Sequence, residues 1–128
     1  MISFAPTADQ QLVIDTIGRY VRERVEPARH EADEERRYPA ALIEEGWRLG
    51  LTTTWVPETY GGLGEPHSAV NAALFAEELA FGDLALALNV LAPALLGLPV
   101  LSFGTEAQQA RWLPYLTRDN RPPLSAAL

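Results

Sequence analysis

The chain has 128 residues and a formal net charge of −7, with 48% hydrophobic residues and no cysteine. That length predicts one domain with a real core and little room for a second, and the lack of cysteine excludes a disulfide framework, an iron–sulfur cluster, a thiolate zinc site and a cysteine nucleophile. All 10 basic residues are Arg, which excludes a Lys Schiff base and a P-loop Lys, and an isoelectric point near 4.7 argues against a nucleic-acid groove.

Nearly every segment reads as helix. Thr7-Ala8-Asp9-Gln10 is a capping box, followed by Val13, Ile17, Tyr20 or Val21, and Val25 at three- and four-residue steps, one helical stripe. Pro27 stops or kinks that helix, because it has no amide and clashes with the preceding turn. Ala28 to Arg37 is a charged, exposed continuation. Tyr38-Pro39 opens a second helix carrying Leu42, Ile43 and Trp47, with Gly50 suited to its C-terminal cap. Leu51 to Glu65 reads as a loop, its Gly61-Gly62-Leu63-Gly64 run letting Trp55 and Tyr60 pack.

A third helix covers Ser68 to Phe81, and Gly82-Asp83 breaks and recaps the chain. An apolar helix, Leu84 to Leu96, follows, then a short turn or helix around Pro99 to Phe103. Thr105-Glu106-Ala107-Gln108 is a second capping box, opening a helix that holds Trp112 and ends near Leu116. Helices joined by short loops predict an all-α bundle over residues 1–121. Pro122-Pro123 then forces an extended tail over 122–128.

Between Leu84 and Phe103 the only polar side chains are Asn89 and Ser102, a length that could span a bilayer. Pro93, Gly97 and Pro99 inside it, acidic Asp83 and Glu106 at its flanks and no adjacent cationic anchor favour the centre of a soluble bundle. The first residues lack both a basic and an apolar leader region, which predicts a cytoplasmic protein without a signal peptide.

Catalytic constellations are absent from the pattern. Glu44-Glu45 and Glu77-Glu78 are adjacent on helices, so each pair diverges by about 100° and reads as surface charge. His30 and His67 have no second ligand at metal-binding spacing. Ser68, Ser102 and Ser125 have neither a nucleophile elbow nor a nearby His. The glycine run follows no strand and lacks the P-loop register. Ala87, Leu88, Leu91 and Leu95 share one face of the apolar helix, which is either bundle core or the wall of an apolar slot for an acyl chain.

Several blocks together carry a resemblance: Tyr38-Pro39, Gly50-Leu51, Val56-Pro57-Glu58-Thr59-Tyr60-Gly61-Gly62-Leu63-Gly64, Glu77-Glu78-Leu79-Ala80, Phe103-Gly104-Thr105-Glu106-Ala107-Gln108-Gln109 and Trp112-Leu113-Pro114-Tyr115-Leu116. In order and spacing they resemble the N-terminal helical domain of acyl-CoA dehydrogenases, over essentially the whole chain. The resemblance implies an FAD enzyme that oxidises the Cα–Cβ bond of acyl-CoA or another acyl thioester, a catalytic Glu removing the α-proton while flavin N5 takes the β-hydride. It also implies an electron-transferring flavoprotein as partner and a homo-oligomer in which a β-domain and a C-terminal helical domain complete the subunit.

The family's Thr-Glu-Pro and Gly-Ser-Asp flavin motif and its base-bearing domain are not in these residues. No Glu here is therefore assigned the base, and the chain is expected to be inactive alone. The resemblance places Ala87, Leu88, Leu91 and Leu95 at the acyl-tail wall, and Ala126 and Leu128 at positions that approach the flavin. Residues 122–128 resemble the lead-in to the first β-domain strand. A reading of a different class is a stand-alone helical module that assembles with or regulates a full-length relative.

Overall fold

Capping boxes start helices where the backbone would otherwise leave its first amides unbonded, and both boxes in this chain are formed. Thr7 Oγ1 accepts from the Gln10 amide at 3.2 Å while Gln10 Oε1 accepts from the Thr7 amide at 2.8 Å. The computed structural model describes residues 5–119 and 121–124. Among these there are eight α-helices and no strand: α1 (Ala8–Tyr20), α2 (Glu26–Glu35), α3 (Ala40–Arg48), α4 (Ala69–Gly82), α5 (Leu84–Leu91), α6 (Pro93–Phe103), α7 (Glu106–Trp112) and α8 (Pro114–Thr117). The all-α architecture is the one the helical periodicity predicts.

Prolines set the helix boundaries differently from expectation. The helix is not stopped at Pro27: Val21–Val25 forms a π-helical turn that leads into α2, and that wider turn takes up the Pro27 ring near the start of α2. The apolar helix expected over Leu84–Leu96 loses its hydrogen-bond ladder at Ala92, because Pro93 cannot donate to Asn89. Ala92 nevertheless keeps helical angles, φ −49° and ψ −37°. Pro99 lies inside α6, and Pro114 divides the last predicted helix into α7 and α8.

The described residues pack as two units. In the unit built from the chain up to Leu49 together with Ser68–Ala87, α1 packs on α4, and Gln10 Nε2 donates to Asn71 Oδ1 at 2.7 Å. Ile17, Val21, Val25, Leu79 and Leu86 are its fully buried apolar side chains. Tyr20 Oη donates to the Leu42 carbonyl at 2.7 Å, so a phenol that must be satisfied once buried finds its acceptor on α3. That burial pushes the Tyr20 phenol far above its ordinary range. Arg24 reaches Glu45 with two bonds of 2.8 Å. The bond to Arg24 holds the Glu45 carboxyl below the usual range.

The other unit comprises Gly50–His67 and the chain from Leu88 onward. Its core is Trp55, Val56, Leu113 and Leu116, against which Tyr60, Leu98 and Leu101 pack, as expected for a glycine-bearing loop that folds its aromatics inward. The loop contains a single 3-10 turn, Glu58–Tyr60, closed by Gly61 at φ 88°, a conformation that only glycine adopts cheaply. Thr117 Oγ1 donates to the Tyr60 carbonyl at 2.7 Å and ties α8 to that turn. Buried Arg121 donates from Nη1 to the Leu116 carbonyl at 2.7 Å, and its burial pulls its pKa down to about 10.

Candidate functional site

The residues that pattern alone marked as chemical candidates have structural employment. Ser68 caps α4, its Oγ accepting from the Asn71 amide at 3.2 Å. Glu45 pairs with Arg24, and Glu44 lies 3.8 Å from Arg48. Exposed His30 sits 3.5 Å from Glu34, and His67 sets its ring edge-on to Trp55 at 6.4 Å between centroids. Glu77 is exposed, whereas Glu78 is half-buried and lies against Gly18. No group of three metal-ligating side chains occurs among the described residues. Ser125, and the flavin-approaching candidates Ala126 and Leu128, lie outside the described residues.

The four wall candidates separate. Ala87 is 3% exposed and belongs to the core. Leu88 is 64% exposed, Leu91 half-buried and Leu95 57% exposed. These three stay on one side because the helical angles at Ala92 carry the three- and four-residue spacing past the break. The same side continues through exposed Pro99 to Phe103, which is 90% exposed at the end of α6. Leucines left in water along one stripe are not core, and contiguous apolar surface of this kind marks an interaction or ligand face.

Behind the stripe, α6 is held close. A Cβ at Gly97 would run into the Trp55 ring and the Leu116 side chain, so the helix approaches its core as closely as glycine allows. Gln109 Nε2 donates to the carbonyls of Leu101 and Gly104, both at 3.2 Å, and satisfies the last turn of α6.

At its start, α5 is capped by Asp83. Its Oδ1 accepts from the Leu86 amide at 2.8 Å. Arg29 Nη1 donates to the Gly82 carbonyl at 3.4 Å. The Tyr38 hydroxyl is buried beside Asp83. Burial first and Asp83 second push that phenol up to about 12, with Arg29 acting in the opposite direction and Asp33 adding slightly. Pattern reading finds the Gly82-Asp83 recapping but not these partners, since Arg29 and Tyr38 are remote in sequence and each has an ordinary local role. Phe103 also escapes it, because an apolar residue at helical spacing carries no mark of which way it faces.

The described residues form a helical domain that bears an exposed apolar stripe along α5 and α6. Comparison with known proteins makes the assignment specific. Residues 7–120 match the family model for the acyl-CoA dehydrogenase N-terminal domain, and the chain belongs to the acyl-CoA dehydrogenase family. It is 28% identical to a probable medium-chain specific acyl-CoA dehydrogenase of Caenorhabditis briggsae, over 92% of this chain and 28% of that protein.

Among solved structures, butyryl-CoA dehydrogenase from Megasphaera elsdenii superposes with a TM-score of 0.79 at 31% identity, over 92% of this chain and 31% of its own. The acyl-CoA dehydrogenase of Bacillus anthracis complexed with FAD superposes with a TM-score of 0.68 at 28% identity, over 93% of this chain and 20% of its own. The chain thus spans less than a third of the length of these relatives and corresponds to their N-terminal helical domain.

Proposed function

We propose that this chain is the N-terminal domain of a flavin-dependent acyl-CoA dehydrogenase and that Leu88, Leu91 and Leu95 form one wall of the pocket for the acyl tail. The observation that carries this reading is the apolar stripe through Leu88, Leu91 and Leu95 on α5 and α6, with Leu88 and Leu95 exposed, at positions where the family resemblance places the tail. Apolar walls take up hydrocarbon because burial removes about 25 cal/mol per Å² of apolar surface from water. A longer tail therefore gains more from the stripe than a short one. Ala87 is dropped from the wall, since its side chain is already buried.

Redox chemistry and proton abstraction are assigned to segments beyond residues 1–121. FAD, when bound, supplies the hydride acceptor, and the described residues contribute apolar surface and support. An acyl-CoA substrate, an electron-transferring flavoprotein as electron acceptor and assembly as a homo-oligomer follow from the family. The Leu84–Phe103 stretch, with mean hydropathy 2.2, is long and apolar enough to cross a membrane by composition. Its position within a matched helical domain supports a pocket and packing role for it.

The test is Leu88→Glu in the full-length enzyme, with kcat/KM measured for straight-chain acyl-CoA substrates of increasing length. Leu88 is exposed, so the substitution leaves the core intact, while a carboxylate buried against hydrocarbon without a partner costs roughly 2 kcal/mol or more. Activity on long chains is expected to fall at least tenfold further than on butyryl-CoA. Equal loss at every chain length would overturn the wall assignment.

A further inference from the structure

The apolar side of α5 and α6 runs on past the positions that the family resemblance marks. Leu88, Leu91 and Leu95 are followed by exposed Pro99 and by Phe103, the last residue of α6 and 90% exposed. At about 100° per residue these side chains fall within about a third of the helix circumference, with Ser102 the polar exception among them. The path does not stop where α5 gives way to α6. The Ala92 amide donates to the Leu88 carbonyl at 2.9 Å, and the Leu95 amide donates to the Ala92 carbonyl at 3.0 Å. All of these residues, and the core behind them, belong to one packing unit.

Phe103 sits on a closed turn. The Gly104 amide donates to the Val100 carbonyl at 2.9 Å, and Gln109 Nε2 donates to the Leu101 and Gly104 carbonyls. Gly97 draws the side of α6 opposite the stripe against Trp55 and Leu116, so the Phe103 ring stays in water while its backbone is fixed. An apolar ring on a fixed backbone costs little further ordering when a ligand covers it.

Length then selects the ligand. A rise of about 1.5 Å per residue puts Leu95 about 10 Å beyond Leu88 and Phe103 about 22 Å beyond it. An extended alkyl chain, with bonds of about 1.5 Å opened to about 111°, advances about 1.25 Å per carbon. Leu88 to Leu95 therefore matches about eight carbons, and Leu88 to Phe103 about 18.

We propose that the acyl tail lies along the whole stripe and that Phe103 is a specificity-determining residue at its far end, so that the substrates are long straight-chain acyl thioesters. The proposal rests on the acyl-wall reading of Leu88, Leu91 and Leu95. The resemblance places tail contact at those leucines, which leaves Phe103 for the carbons beyond them.

The experiment measures kcat/KM in the full-length enzyme for butyryl-, octanoyl-, dodecanoyl-, hexadecanoyl- and icosanoyl-CoA, below their micelle concentrations. Each methylene removed from water is worth up to about fourfold in affinity. Wild-type kcat/KM is therefore expected to keep rising from dodecanoyl- to icosanoyl-CoA. Phe103→Ser is expected to lower it roughly fivefold for icosanoyl-CoA, through a higher KM. Octanoyl-CoA, whose tail ends short of the ring, is expected to be unaffected. Leu95→Ser takes effect at shorter chains than Phe103→Ser does, and Leu88→Glu at shorter chains still. Phe103→Leu, which keeps an apolar surface, retains most of the icosanoyl-CoA activity.

If Phe103 instead packs on another part of the full-length enzyme, Phe103→Ser lowers Tm and affects all the substrates equally, and that result overturns the proposal. A Phe103→Ser enzyme that matches wild type on icosanoyl-CoA overturns it too; where Leu88→Glu still discriminates by length, the shorter wall stands alone. Equal loss at every length in Leu88→Glu removes the wall reading and the extension with it. A wild-type profile that levels off by dodecanoyl-CoA overturns the proposal without any variant, so the test decides even should Phe103→Ser fail to fold.

Discussion

Gly97 shows how much a single missing methyl can decide. In the middle of a helix, alanine is favoured over glycine by about 1 kcal/mol through backbone entropy alone. Here the added Cβ would meet the Trp55 ring and Leu116, both in a closed core. Overpacking of that kind costs about 1–3 kcal/mol, more than the propensity gain on most of its range. Gly97→Ala is therefore expected to be net destabilising, seen as a lower midpoint of urea unfolding with an unchanged slope. A raised midpoint would mean that the Trp55 ring can shift without loss. The sequence shows a glycine in an apolar helix and nothing of what crosses it, because the partners Trp55 and Leu116 lie 42 and 19 residues away in the chain. The local devices were legible: Thr7 with Gln10 and Thr105 with Gln108 form the capping boxes that their spacing announces.

Helices are where pattern reading succeeds and where proline limits it. The stripe through Ile17, Val21 and Val25 is buried as its period requires, and Trp55 turns inward from its loop. The missed boundaries all fall at prolines, whose effect depends on the turn that receives them. At Pro27 a π turn absorbs the ring, whereas at Pro93 one ladder bond is lost but the helical path persists. α7 is the clearest element on which to test capping, since it has only seven residues and only Leu113 separates it from Pro114. Thr105 Oγ1 accepts from the Gln108 amide at 3.3 Å, and the Thr105 amide donates to Gln108 Oε1 at 2.8 Å. Thr105→Ala is expected to cost about 1 kcal/mol and Thr105→Asp to cost little, by thermal unfolding. Amide exchange at Glu106–Gln108 should accelerate in Thr105→Ala; unchanged exchange there would show that the side-chain cap is not what holds the first turn.

At the scale of the whole molecule, apolar surface is exposed in both units: Leu12, Val70, Phe81 and Leu84 in one, Leu63, Leu88, Leu95 and Phe103 in the other. Scattered exposed leucines are ordinary, but the run from Leu88 to Phe103 along one side of consecutive helices is contiguous. Composition could not separate that side from the buried one, since Leu86 and Val90 are the same residue types at the same spacing and are fully buried. What resolved it is tertiary structure, which consumes one side of α5 and leaves the other. Produced as the 128-residue chain, the protein is therefore expected to bind the dye ANS and to self-associate with rising concentration. Leu88→Ser combined with Leu95→Ser should reduce both without lowering Tm, because neither side chain contributes much to the packed interior. Light scattering and dye fluorescence, with far-ultraviolet dichroism to confirm helix content, read the outcome. A wild-type chain that stays monomeric and dark with the dye would mean that its own residues cover the stripe in solution. The acyl-wall assignment would then lose the exposed surface on which it depends.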